Sequence, residues 1–183
     1  MILTKQLIKS NSLTVNLVIA FSGSLLLALL ARLTVPIPFS PVPITGQTFG
    51  ILFLGSVLGS RIGTLSVIMY IFEGLIGLPV FAGGTMGFLY LLGPTGGYLI
   101  GFIPAVYLVG YLSERGWTNS FTSSFLTMII GTLIIFIFGI SWLAVTAGFG
   151  TALSIGLYPY ISGAVIKIIL ATVTIYSINR FNK

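Results

Sequence analysis

The chain has 183 residues, 56% of them hydrophobic and only 5% charged, whereas a soluble domain carries about 25% charged residues. So little polar surface excludes a water-soluble protein and points to one integral membrane domain spanning residues 1–183. Cysteine and histidine are absent and Glu73 and Glu114 are the only acids, so no disulfide, imidazole base, metal site, cofactor or enzyme chemistry is expected. The net charge of +6 comes from single scattered basic residues, which argues against nucleic acid and reads better as a topology signal.

In chain order, "MILTKQLIKSNSLTVN" precedes an apolar run ending in "ALLAR". Its charge order is that of a secretory signal, but Leu29 and Ala31 do not form the small-x-small pair that cleavage requires. It is therefore read as a retained first span, Thr14–Ala31. Ala20, Ser24 and Ala28 recur every four residues on it and form a smooth stripe, suited to close packing by a helix of the bundle or of a partner.

Beyond the proline-rich "RLTVPIPFSPVPITGQ", two short spans are expected, Thr45–Leu58 and Ile62–Ile76, meeting in a tight turn at "LGSRIG". The glycine-rich "GLPVFAGGTMGFLYLL" leads to a fourth span, Pro94–Leu112, then to a polar loop holding Glu114 and Arg115. A fifth span, Phe121–Leu143, is followed by "AVTAGFGTALSIGLYPY" and a sixth, Pro159–Ile178. The fold class is an all-α bundle of six transmembrane helices.

With six spans, Lys5, Lys9, Arg61, Arg115, Arg180 and Lys183 fall on one side and Arg32 alone on the other. Positive charge marks the cytoplasm, so both termini are placed there, with the chain in the plasma membrane. The three longer connections then share the outer face. Broken backbone facing lipid would leave N–H and C=O groups without partners. These re-entrant-like loops are therefore expected to close over a ligand pocket.

Two charged groups lie within spans, and an intramembrane charge costs at least about 2.5 kcal/mol unless it faces the bundle interior. Lys167 sits eight residues past Pro159, roughly 12 Å below the outer helix end, and is a candidate ligand contact. Glu73, near the outer end of the third span, either joins the site or pairs with Lys167 as a structural bridge. Gln47 and Thr48 open the second span and either cap it or reach a ligand. Pro94, Thr95 and Gly96 suggest a helix start with free N–H groups, and Tyr98 follows one turn deeper. No Gly-x-x-x-x-Gly-Lys-Ser/Thr loop occurs, which excludes that route to ATP hydrolysis.

Four stretches, "VPITGQTFGILFLGSVLGSRIG", "GLIGLPVFAGGTMG", "LLGPTGGYLIGF" and "PYISGAVIK", together resemble the BioY family, the biotin-binding S components of energy-coupling-factor transporters. The resemblance runs from about Pro41 to Lys167. It implies a six-helix subunit that captures biotin from outside and works with a shared transmembrane coupling subunit and two ATPase subunits. It also implies that Lys167 contacts the ligand. The family's last helix usually has an Asp three residues earlier, where this chain has Ala164, and the stripe Ala20, Ser24, Ala28 resembles the family's docking surface.

Biotin has a ureido ring with one acceptor and two donors, an apolar thiophane and a carboxylate. Lys167 only donates, so Glu73 is the first candidate acceptor and Gln47 the second. Backbone N–H groups at Gly83, Gly84 and Gly96, with Thr85, are candidates for the carboxylate, and Phe81, Met86 and Tyr90 for the thiophane. The alternatives are an S component for another vitamin, or a ligand-free scaffold in which Glu73 and Lys167 pair.

Overall fold

A computed structural model describes residues 12–181. Helix α1, Leu13–Arg32, is followed by two antiparallel strands, β1 Thr34–Ile37 and β2 Ser40–Thr45. This hairpin occupies the proline-rich stretch expected to be an irregular loop, so the bundle is helical apart from one short ribbon. Proline is tolerated because each strand of a two-stranded ribbon has an edge that needs no N–H donor. Pairing shifts between Val35 and Ile37, which places Pro36 in the irregularity.

Helix α2, Gln47–Leu75, is broken at Gly59 (φ 77°, ψ −177°). In an unbroken helix Leu54 and Gly63 would stand roughly 13.5 Å apart. Instead, a Cβ placed on Gly63 would lie 3.3 Å from the Leu54 carbonyl oxygen, so the chain folds back on itself. The two arms, residues 47–58 and 60–75, are the second and third spans expected from the sequence, although Thr45 belongs to β2.

Glu114, expected in a polar loop, is instead the last residue of the helix Gly96–Glu114 and caps the second arm. Its Oε1 accepts from Ser60 N at 2.7 Å, and Ser60 Oγ lies 3.0 Å from each carboxylate oxygen. A carboxylate at a helix start offsets unpaired N–H groups and the positive end of the helix dipole. Gly59 is required twice over, by its positive φ and by the Glu114 carboxylate beside it.

The remaining elements are a 3-10 turn at Ala82–Gly84, α3 Phe88–Leu92, α4 Gly96–Glu114, α5 Phe121–Ala147, α6 Phe149–Gly156, a 3-10 turn at Tyr158–Tyr160 and α7 Ile161–Phe181. Two connections expected as loops thus contain short helices, α3 and α6, and the last span starts two residues later than expected. Among the described residues five helical stretches are long and apolar enough to cross a membrane, the second being the two-armed α2.

Helix α4 is the central element, packed chiefly on α2 and α5. Small residues permit that approach: a Cβ on Gly101 would stand 2.9 Å from Phe138 Cβ and 3.3 Å from Ile135 Cα. Wholly buried Leu27, Tyr70 and Val106 fill the space between α1, α2 and α4. Hydrogen bonds define two ends of the bundle. Ser40 meets Ile155 and Tyr160 at the hairpin end, while Asn179 Nδ2 donates to Thr118 O at the opposite end, near Arg115 and Arg180.

The small-residue stripe on α1 lies largely inside the bundle. Ala20 and Ser24 are completely buried, and Ala28 is half-buried against the core. Neighbouring Gly23 abuts Ser66, so this side of α1 packs on the second arm of α2. Ala20 and Ser24 are thus covered from within the bundle. The face of α1 left outward carries Val18, Phe21, Leu25 and Leu29.

Candidate functional site

A concave cavity, open at its mouth, lies at the hairpin end of the bundle. Strand β2, the first arm of α2, α4, α5 and α7 all supply walls. Leu99, Phe102, Ile135 and Phe136 form an apolar girdle, and Gln47, Thr48, Thr95, Tyr98, Thr132 and Lys167 add polar groups.

Six residues past the start of α7, Lys167 sits roughly 9 Å into the bundle. It lines the cavity and forms no hydrogen bond or ion pair with the described residues. Its ammonium therefore keeps three donors for a ligand or water. Ala164, one turn before it, lines the same wall with a methyl group.

Gln47 is held by a relay. Its Oε1 accepts from Thr45 Oγ1 at 2.9 Å, its Nε2 donates to Tyr70 Oη, and Tyr70 Oη donates to Val80 O at 3.1 Å. An amide has two N–H donors and two lone pairs, so one of each stays unused by these bonds. Tyr98 donates from its Oη to Gly156 O at 2.7 Å, presenting its ring as wall. Tyr160 Oη donates to Val42 O and contacts Ser40 Oγ, whose hydroxyl also reaches Ile155 O at 2.6 Å. These bonds fasten the mouth.

Several expected site residues lie elsewhere. Glu73 does not line the cavity: it is buried between α1 and α2, where Ser24 Oγ donates to its Oε1 at 2.7 Å and its Oε2 has no partner. This corrects its assignment as the acceptor replacing Ala164, because the carboxylate points to α1. It also removes the suggested pairing with Lys167.

Phe81 is wholly buried, 5.1 Å from the ring of Tyr90 and 5.7 Å from that of Tyr70, and so supports the wall from behind. Gly84 abuts Arg32, whose Nη2 donates to Pro79 O at 2.7 Å, and Gly83 N donates to Thr34 Oγ1 at 3.1 Å. Thr85 Oγ1 donates to Ala82 O at 2.9 Å. Gly96 is packed against the Leu91 carbonyl, and Met86 is exposed. The second glycine-rich loop is thus latched to α1 and β1, while Ala82 and Tyr90 are the residues it contributes to the cavity.

Sequence reasoning missed Thr132 and Tyr160. Thr132 is a lone hydroxyl within the apolar run "MIIGTLIIFIF", and helical periodicity alone does not say which way it faces.

A helical bundle embedded in lipid, with a partly polar cavity at one end and, on its wall, a cation unpaired among the described residues, defines a membrane protein that binds a small molecule. The family model described as the BioY family matches residues 4–183, and the chain belongs to that family. It is 37% identical over 153 residues to the "Probable biotin transporter BioY" of Pyrococcus horikoshii, covering 81% of this chain and 90% of that one. It is 36% identical over 160 residues to the "Biotin transporter BioY" of Rhizobium etli, covering 83% and 86%.

Among solved structures, the S-component for biotin from an ECF-type ABC transporter superposes with a TM-score of 0.82 at 32% identity, covering 93% of this chain and 94% of that one. These relatives are named as transporters, in agreement with the expectation of no covalent chemistry.

Proposed function

We propose that the chain is a biotin-binding S component: it takes biotin from the outer face and delivers it inward as part of an ATP-driven importer. The observation that carries this reading is Lys167, a partnerless cation on the wall of an otherwise largely apolar cavity, taken with relatives named for biotin. The apolar girdle suits the thiophane. Lys167 and Gln47 supply directed polar contacts, without which buried ligand groups would each cost about 1–3 kcal/mol.

In this reading the hairpin end faces outward and the end with Arg61, Arg115 and Arg180 faces the cytoplasm of a plasma-membrane protein. The 183 residues contain no phosphate-binding Gly-Lys loop, so ATP hydrolysis falls to separate subunits, with a shared transmembrane subunit coupling them. The outward apolar face of α1 remains for contact with lipid or with that subunit.

The test is equilibrium binding of biotin to the purified protein in detergent, with Lys167→Ala as control and thiamine and riboflavin as competitors. Saturable binding lost in the variant is expected. Binding of another vitamin in preference to biotin would reassign the substrate, and no ligand for a well-folded preparation would leave the scaffold reading.

A further inference from the structure

Threonines buried in helices normally satisfy their hydroxyl by donating to the carbonyl one turn earlier. Thr127 Oγ1 reaches Ser123 O at 2.8 Å, and Thr172 Oγ1 reaches Ile168 O at 2.7 Å. Thr132, also on α5 and 4% exposed, does neither, and its Oγ1 has no partner. Such a group carries a desolvation cost that a ligand would relieve. Of the partnerless buried side-chain groups among the described residues, Asn16, Ser56, Glu73 and Ser124 lie away from the cavity, and Thr132 lines it.

Its depth is fixed by packing. Ile135 lies against Gly101, which is five residues into α4, and Thr132 is three residues closer to the arginine end. The hydroxyl therefore sits roughly 12 Å inward from the start of α4, at the cavity floor. A turn about its Cα–Cβ bond breaks no existing hydrogen bond, so the hydroxyl is free to reorient.

We infer that Thr132 is a ligand contact at the cavity floor, its hydroxyl accepting an N–H of the ureido ring. The inference rests on the biotin reading above and concerns which group meets which end of the ligand. Lys167 has donors only, and one lone pair of Gln47 Oε1 is already engaged, so hydroxyl oxygens of the walls must accept at least one ureido N–H, and Thr132 is the wall hydroxyl that is both buried and partnerless. The neutral ring goes to the floor because desolvating the carboxylate costs more than desolvating a urea, and the carboxylate remains nearer the mouth.

The experiment is calorimetric binding of biotin to the wild type, Thr132→Val and Thr132→Ser, with biotinamide measured by competition against labelled biotin. Loss of one directed contact in a closed site predicts about 10- to 100-fold weaker binding for Thr132→Val, and near wild-type binding for Thr132→Ser. The penalty is expected to be the same for biotin and biotinamide. Unchanged affinity in Thr132→Val overturns the inference and leaves the biotin reading intact. A penalty that disappears with biotinamide places the hydroxyl at the carboxylate instead and overturns it too. Failure of the wild type to bind biotin removes the reading and the inference together. Gel-filtration behaviour and thermal midpoint identify a misfolded valine variant, in which case the serine variant and Thr132→Ala carry the comparison.

Discussion

The contact between Ser24 and Glu73 gives the sharpest separation of architecture from binding. Ser24→Ala removes the 2.7 Å bond to Glu73 Oε1, and because Oε2 already lacks a partner, the whole carboxyl group is then buried unsatisfied between α1 and α2. An orphaned buried acceptor costs about 1–3 kcal/mol, so the variant should unfold at a clearly lower temperature in detergent. Replacing both partners, Ser24→Ala with Glu73→Leu, removes the need for a bond and should recover most of that loss. Glu73→Gln keeps an acceptor for Ser24 and should cost less than Ser24→Ala.

Biotin affinity, measured calorimetrically on the same preparations, should stay within about twofold of wild type in all three, since neither residue lines the cavity or shares a partner with its walls. A Glu73→Gln protein with wild-type stability but at least tenfold weaker biotin binding would refute this reasoning and return Glu73 to the site.

Lys167→Met keeps the stem and removes the charge; loss of charge-assisted bonds predicts about 10- to 100-fold weaker biotin binding by calorimetry, with an unchanged or raised thermal midpoint. Gly101→Val drives a branched side chain into Phe138 and Ile135, and should destabilise the protein by about 1–3 kcal/mol in chemical denaturation. Glu114→Ala strips the cap from the second arm of α2 and should cost about 1–2 kcal/mol in the same assay, with biotin affinity retained. Ser40→Ala cuts the tie from the hairpin to α6; loss of about 1 kcal/mol there should accelerate amide exchange in residues 40–45 by about fivefold.

The sequence by itself determined the solvent and the spans. Hydropathy and charge scarcity are properties of composition, so membrane residence needed no fold. The "LGSRIG" turn appeared where Gly59 breaks α2 because only glycine readily adopts that positive φ. An unpaired lysine in an apolar helix also announced itself, since its burial has few purposes.

Tertiary structure decided the partners of each polar group. Ala20, Ser24 and Ala28 satisfy a small-residue pattern whether the neighbour is internal or external, and only packing shows that the second arm of α2 takes that side. Glu73 is acidic and near the rim in sequence, yet it sits on the second arm of α2, no residue of which lines the cavity, and its carboxylate meets Ser24 of α1. Thr132 was invisible for the opposite reason: one threonine in an apolar run carries no periodic signal, and its significance is a missing bond, which exists only once every neighbour has been placed.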